Sequence, residues 1–176
     1  MTTQDALDDL QRFLEKAVQK LNMTYQQEGT DPPRYVIPYV AQCYLPHKNF
    51  TPVDFQSPGI LIALDTAEDT GRDNTLDVRL VCMTYGGGFY DETRIPDAEG
   101  YKDLLSMMER LKTALITQQA IGRGGLRLPI EMGFYDSELA WPYWYGYLKF
   151  SLDIPVTVYP MVDGISKEME DFLHGE

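Results

Sequence analysis

Cysteine and histidine are scarce in this chain of 176 residues, with two of each. Cys43 and Cys82 cannot supply the disulfide framework on which small secreted domains rely. Cys43 and His47, spaced Cys-x-x-x-His, form a single pair of possible ligands where a structural zinc takes four. His174 stands apart near the end of the sequence. Neither a Gly-x-Ser-x-Gly elbow nor a Cys–His family signature occurs, so nucleophilic catalysis has no visible constellation. Basic residues are also few: 15 Lys and Arg against 27 Asp and Glu give a formal net charge of −12. That charge repels phosphate backbones and anionic lipid, so neither tight nucleic-acid binding nor a membrane-surface role is expected. Long apolar runs are missing as well. The uncharged stretch from Leu139 to Leu148 contains Pro and Gly and is far shorter than the roughly 20 residues that span a bilayer. The opening MTTQDALDD is acidic and polar, without the pattern of a secretory leader. These absences predict a soluble protein made in the cytoplasm, with no metal, no cofactor and no catalytic site.

With 44% apolar and 24% charged residues, the composition is that of a globular chain, and the length suits a single domain over 1–176. Leu7, Leu10, Leu14, Val18 and Leu21 recur at spacings of three and four, which predicts an amphipathic helix over 4–25 with Thr3 as its cap. Six prolines punctuate the excursion 26–58, where Arg34 to Leu45 is compatible with an edge strand around Pro38. Gly59 to Leu64 reads as a strand buried on both faces, and Asp65 to Asn74 as an exposed acidic loop. Leu76, Val78, Leu80 and Cys82 alternate with polar residues, so 75–85 reads as a half-buried strand. A second helix is expected over 97–121, capped by Asp97 and stopped by Gly122, Gly124 and Gly125. A hairpin over 126–154 follows, then an extension, 156–176, with a short helix around Ile165 to Leu173. The resulting class is α+β, with two main helices on one face of a mainly antiparallel sheet of about five strands.

Local patterns that often carry chemistry have plainer explanations here. YGGGFY, Tyr85 to Tyr90, lacks the Lys-Ser/Thr of a phosphate loop. IGRGGL, Ile121 to Leu126, follows a helix, which is the wrong end for phosphate capture. The acids from Asp65 to Asp77 lack the order of a calcium loop, and none of the 27 acids sits in the apolar context that raises a catalytic pKa.

The unusual feature is aromatic. Phe134, Tyr135, Trp141, Tyr143, Trp144, Tyr145, Tyr147 and Phe150 place eight of the chain's 21 aromatic residues in one hairpin. Strand alternation puts Trp141, Tyr143, Tyr145 and Tyr147 on the face shared with Lys149 and Asp153, and Trp144, Leu148 and Phe150 on the core face. Such a row serves either ordinary cross-strand packing or a subunit interface, where Tyr and Trp are enriched.

The order of helix, strands, helix and aromatic hairpin, with the return strand WPYWYGYLKFSLDIP from Trp141 to Pro155, resembles the tail terminator proteins of long-tailed bacteriophages. The resemblance spans roughly residues 4–155, while the excursion 26–58 and the extension 156–176 depart from a minimal member. It implies an α+β subunit of the virion tail, made in the bacterial cytoplasm. That subunit forms a ring, commonly a hexamer, caps the tube of major tail protein, stops its polymerisation and joins it to the head–tail connector. The family has no catalytic signature, and no residue role is carried over from it. A head–tail connector or head-closure protein is the neighbouring alternative. A small α+β enzyme or ligand-binding domain is the contrasting one.

Overall fold

The computed structural model describes residues 1–25, 34–42, 57–90, 95–135 and 141–156. Helix α1 spans Thr3–Val18, and its cap is Thr2 rather than Thr3. The Thr2 hydroxyl accepts from the Asp5 amide at 3.1 Å while the Thr2 amide donates to the Asp5 carboxylate at 2.8 Å, a reciprocal capping box. Such a cap contributes about 1 kcal/mol. The helix stops at Val18 instead of reaching Tyr25, because Met23–Thr24 (β1) leaves it to pair antiparallel with Tyr35–Val36 (β2). That turn out of the helix keeps Met23 buried in the core while satisfying its backbone.

Six strands make the main sheet: β3 (Tyr39–Gln42), β4 (Gly59–Asp69), β5 (Asn74–Tyr85), β6 (Ala120–Ile121), β7 (Gly124–Phe134) and β8 (Tyr143–Ile154). Their spatial order is β3-β4-β5-β8-β7-β6, and every pairing is antiparallel except β3 with β4. The edge strand foreseen around Pro38 is therefore β3, which starts just after that proline and runs parallel to its neighbour. The expected acidic loop is mostly strand. β4 continues through Asp65 to Asp69 against Asn74 to Asp77, with a bulge between Leu64 and Thr66, and the turn shrinks to 70–73. Charged side chains hide this strand from a hydrophobic reading, but its backbone partner β5 is already in place.

Helix α2 spans Glu99–Gln118. Asp97 is not its cap: Ala98 takes that position in a left-handed conformation, φ 61°, while the Asp97 carboxylate accepts from the Glu99 amide at 3.0 Å. Nor do the glycines stop it. Gln119, also left-handed at φ 55°, ends the helix by donating its amide to Leu115 O at 3.0 Å. Gly122, at φ 59°, instead makes the tight turn between β6 and β7.

Both helices cover one face of the sheet, as expected. Leu7, Leu10 and Leu14 of α1 and Leu104, Met107, Met108, Leu111 and Leu115 of α2 pack on Ile60, Ile62, Leu76, Val78, Leu80, Leu148, Phe150 and Leu152. The opposite face holds a second, smaller cluster in which Leu61, Val81 and Met83 are buried with Tyr39, Ala41, Tyr135 and Tyr145 against them. Among the described residues no helix is long and apolar enough to cross a membrane. The C-terminal helix anticipated near 165–173 lies outside the described residues.

At the start of α2 the backbone comes against the end of β5. A methyl group added at Gly86 would overlap the backbone nitrogen of Gly100, whereas one added at Gly125 meets nothing within 4 Å. Thr84 donates its hydroxyl to Gly100 O at 2.6 Å in the same buried contact. Gly86→Ala is therefore expected to destabilise the fold by about 1–3 kcal/mol, as overpacking does, and Gly125→Ala to leave it within about 0.5 kcal/mol of wild type. Urea unfolding of the two variants checks this.

Candidate functional site

β8 presents its residues as alternation requires. Trp144, Leu148 and Phe150 pack into the helix-side core, while Tyr145 joins the cluster on the opposite face. The Trp144 indole donates to Gly86 O at 3.3 Å, which fixes the start of the strand against the end of β5. The four-residue row expected from the sequence is divided, however. Tyr143, Tyr145 and Tyr147 belong to β8, but Trp141 lies in the turn before it, beyond Pro142.

The three tyrosines are half-buried in contacts within the chain. Tyr143 meets Tyr85 edge to face with centroids 5.6 Å apart and stacks on Tyr145 at 6.5 Å. Tyr147 packs against Tyr135 at 5.3 Å, and its hydroxyl donates to Glu131 Oε1 at 2.9 Å. Its ring lies over Gly133, where any added Cβ would come within 2.5 Å of it. The Glu131 hydrogen bond raises the Tyr147 phenol pKa, and burial raises that of Tyr145.

Trp141 is different. It packs against Phe89 in a tilted pair with centroids 4.7 Å apart, and both residues remain 46% exposed. Phe89 bridges to Pro96, and the Tyr90 amide donates to Ile95 O at 3.0 Å, so the backbone that carries the exposed Tyr90 (53%) and Ile95 (61%) is tied to that of Phe89. Four exposed large apolar residues thus lie in the segments that follow β5 and precede α2 and β8. Sequence reasoning missed Phe89, Tyr90 and Ile95. The signal available in the sequence is the aromatic pair that closes YGGGFY.

Further along the same face the residues become ionic. The Arg79 guanidinium meets Asp65 at 2.9 Å, and Lys149 reaches the same carboxylate at 3.7 Å. Arg127 pairs with Asp153 at 2.8 Å, and Thr75 donates to Asp153 at 3.0 Å. These pairs are partly exposed and contribute about 0–1 kcal/mol each. Asp77 accepts from the Ser151 and Thr66 hydroxyls at 2.6 Å each, which holds its carboxyl below the usual carboxylate range. Asp77 is thereby stabilised as an anion.

Among the described residues no group of three or more His, Cys, Asp or Glu is placed to hold a metal ion. Cys82 is buried, and desolvation pushes its thiol up to about 12, which leaves it unreactive. Cys43, His47 and His174 lie outside the described residues. Compared with protein-family models and with curated proteins, the chain matches none.

Because the folded pKa of Asp77 lies below its unfolded value, its contribution is present above about pH 4 and is lost as pH falls through the folded pKa. Asp77→Asn is expected to lower stability near neutral pH, with the deficit shrinking steadily below about pH 4. Chemical unfolding across that range measures it. A deficit that stays constant down to about pH 3 would contradict the assignment.

Proposed function

We propose that this chain is a structural assembly subunit of the kind represented by phage tail terminators, forming a ring that caps a tail tube and joins it to the head connector. The exposed Phe89–Trp141 pair, with Tyr90 and Ile95 beside it, carries this reading. Contiguous exposed aromatic residues at one end of a folded domain mark contact surfaces for other proteins. The α+β order of helix, strands, helix and aromatic hairpin supports the same reading.

In this reading Trp141 is the interface residue proper. Tyr143, Tyr145 and Tyr147 act beneath it, bracing the end of the sheet that presents Trp141 and Phe89. Each subunit offers its aromatic end to a different surface of the next, and such head-to-tail contacts close into a ring when the rotation permits. The resemblance favours six subunits. A net charge of −12 suits a ring through which a phosphate backbone passes without being held. The partners are further copies of the chain, the major tail tube protein and the connector.

Sedimentation velocity over a concentration series, with negative-stain images of the heaviest species, tests the reading. Wild type is expected to form closed rings, and the variant carrying Phe89→Ser and Trp141→Ser to stay monomeric with its cooperative unfolding retained. Both rings are half-exposed, so their removal spares the core. Rings that form equally well from this variant would overturn the assignment.

A further inference from the structure

The basic residues of this acidic chain are few, yet three of them line one groove. It is an open depression of about 670 Å³ between the end of α1 and the middle of α2. Lys16, in the last turn of α1, and Lys20, just past its end, stand on one side, and Arg110 of α2 on the other. Glu109 is the sole acid in the lining, while Ala17 and Ala114 keep the floor open. Arg110 is held in place: its Nε donates to Ala17 O at 2.9 Å, across the groove. Lys16, Lys20 and Arg110 are exposed.

The tip of the β4–β5 hairpin has the opposite character. It carries Glu68, Asp69 and Asp73, with Arg72 as its one cation, and all four are exposed. Register places Ala67 opposite Leu76 on the helix side, yet Ala67 is exposed, so the end of β4 has passed beyond the cover of the helices. The tip is also ordered in advance. Thr70 donates its amide to Asp73 O at 2.9 Å, the Asp73 amide donates to the Thr70 hydroxyl at 3.0 Å, and the Gly71 amide donates to the Asp69 carboxylate at 2.8 Å. A projection already folded loses little entropy when it docks.

This tip cannot reach the groove of its own chain. It is locked in register within the sheet, while the groove lies between the two helices. We propose that the groove between α1 and α2 receives the acidic β4–β5 tip of a second copy of this chain. The contact joins two different surfaces and so is head to tail. Lys16 and Lys20 face Glu68 and Asp73 across it, with Arg110 beneath. It rests on the ring reading above and adds to it an electrostatic contact separate from the aromatic one, one that sets the direction in which neighbours attach.

Charge reversal tests this. One variant carries Lys16→Glu and Lys20→Glu, the other Glu68→Lys and Asp73→Lys. All four positions are exposed, and circular dichroism melts verify that each variant folds. Each variant alone is expected to lose about tenfold in self-association by sedimentation. The second result is the sharper one, because that variant is less acidic overall, and simple net-charge repulsion would make it associate more strongly. An equimolar mixture of the two is expected to recover wild-type association. In the mixture, the reversed tip meets the reversed groove, and the native tip meets the native groove. If the tip variant associates as well as wild type, or the mixture fails to recover, the contact is wrong. Loss in the groove variant alone would mean that the groove takes some other anion, and would overturn the second-copy assignment. If neither reversal matters while Phe89→Ser with Trp141→Ser abolishes rings, this contact falls and the ring reading stands. If wild type never associates, both fall.

Discussion

The pairing of β5 with β8 runs without a bulge from Asn74 opposite Ile154 to Tyr85 opposite Tyr143, and the two faces of the molecule follow from that register. On one side it aligns Leu76 with Leu152, Val78 with Phe150 and Leu80 with Leu148, the rows on which both helices settle. On the other it aligns Thr75 with Asp153, Asp77 with Ser151, Arg79 with Lys149, Val81 with Tyr147 and Met83 with Tyr145. A slip of one residue would exchange these sets and place charges under the helices, which is why the register is so strongly specified. The same ladder grades the outer face from ionic at one end to aromatic at the other. Gly146 and Gly86 are the concessions it makes to neighbours: Met108 of α2 sits where a side chain on Gly146 would be, and the backbone of Gly100 where one on Gly86 would be.

The gradient gives the subunit two unlike ends. At the aromatic end, Tyr143 packs on both Tyr85 and Tyr145, and the exposed Phe89–Trp141 pair lies just beyond the ends of β5 and β8. At the other end, the β4–β5 hairpin projects acids past the helix layer. Unlike ends are what head-to-tail assembly requires, whereas a two-fold dimer needs one self-complementary patch. In the proposed ring, apolar contact at one end would supply affinity and charge at the other would supply direction.

Much of this was legible in the sequence where a periodic pattern met a local partner. The stripes Leu7, Leu10, Leu14 and Leu104, Met108, Leu111, Leu115 announce helices, and the alternation in 75–85 and 143–154 announces strands whose inner residues are those found in the core. What was hidden depends on tertiary partners. Asp65 to Asp69 carries no hydrophobic period, and is a strand because β5 offers it hydrogen bonds. The parallel pairing of β3 with β4, the left-handed caps at Ala98 and Gln119, and the departure of β1 from α1 likewise depend on what lies beside them. Within the candidate site, alternation located Tyr143, Tyr145 and Tyr147 correctly but carried Trp141 one step too far into the strand. Its true neighbour, Phe89, is far away in sequence and was beyond any local pattern.

The account stands or falls on whether Trp141 becomes covered when subunits assemble. The chain has two tryptophans, Trp141 exposed and Trp144 packed against the core, so Trp144→Phe leaves Trp141 as the sole indole. Acrylamide quenching of that variant, followed across the same concentrations as its sedimentation, reads the exposure of Trp141 directly. Quenching that falls, with a blue-shifted emission, in step with the appearance of rings is the predicted result. Rings in which Trp141 remains as quenchable as in the monomer would contradict the account.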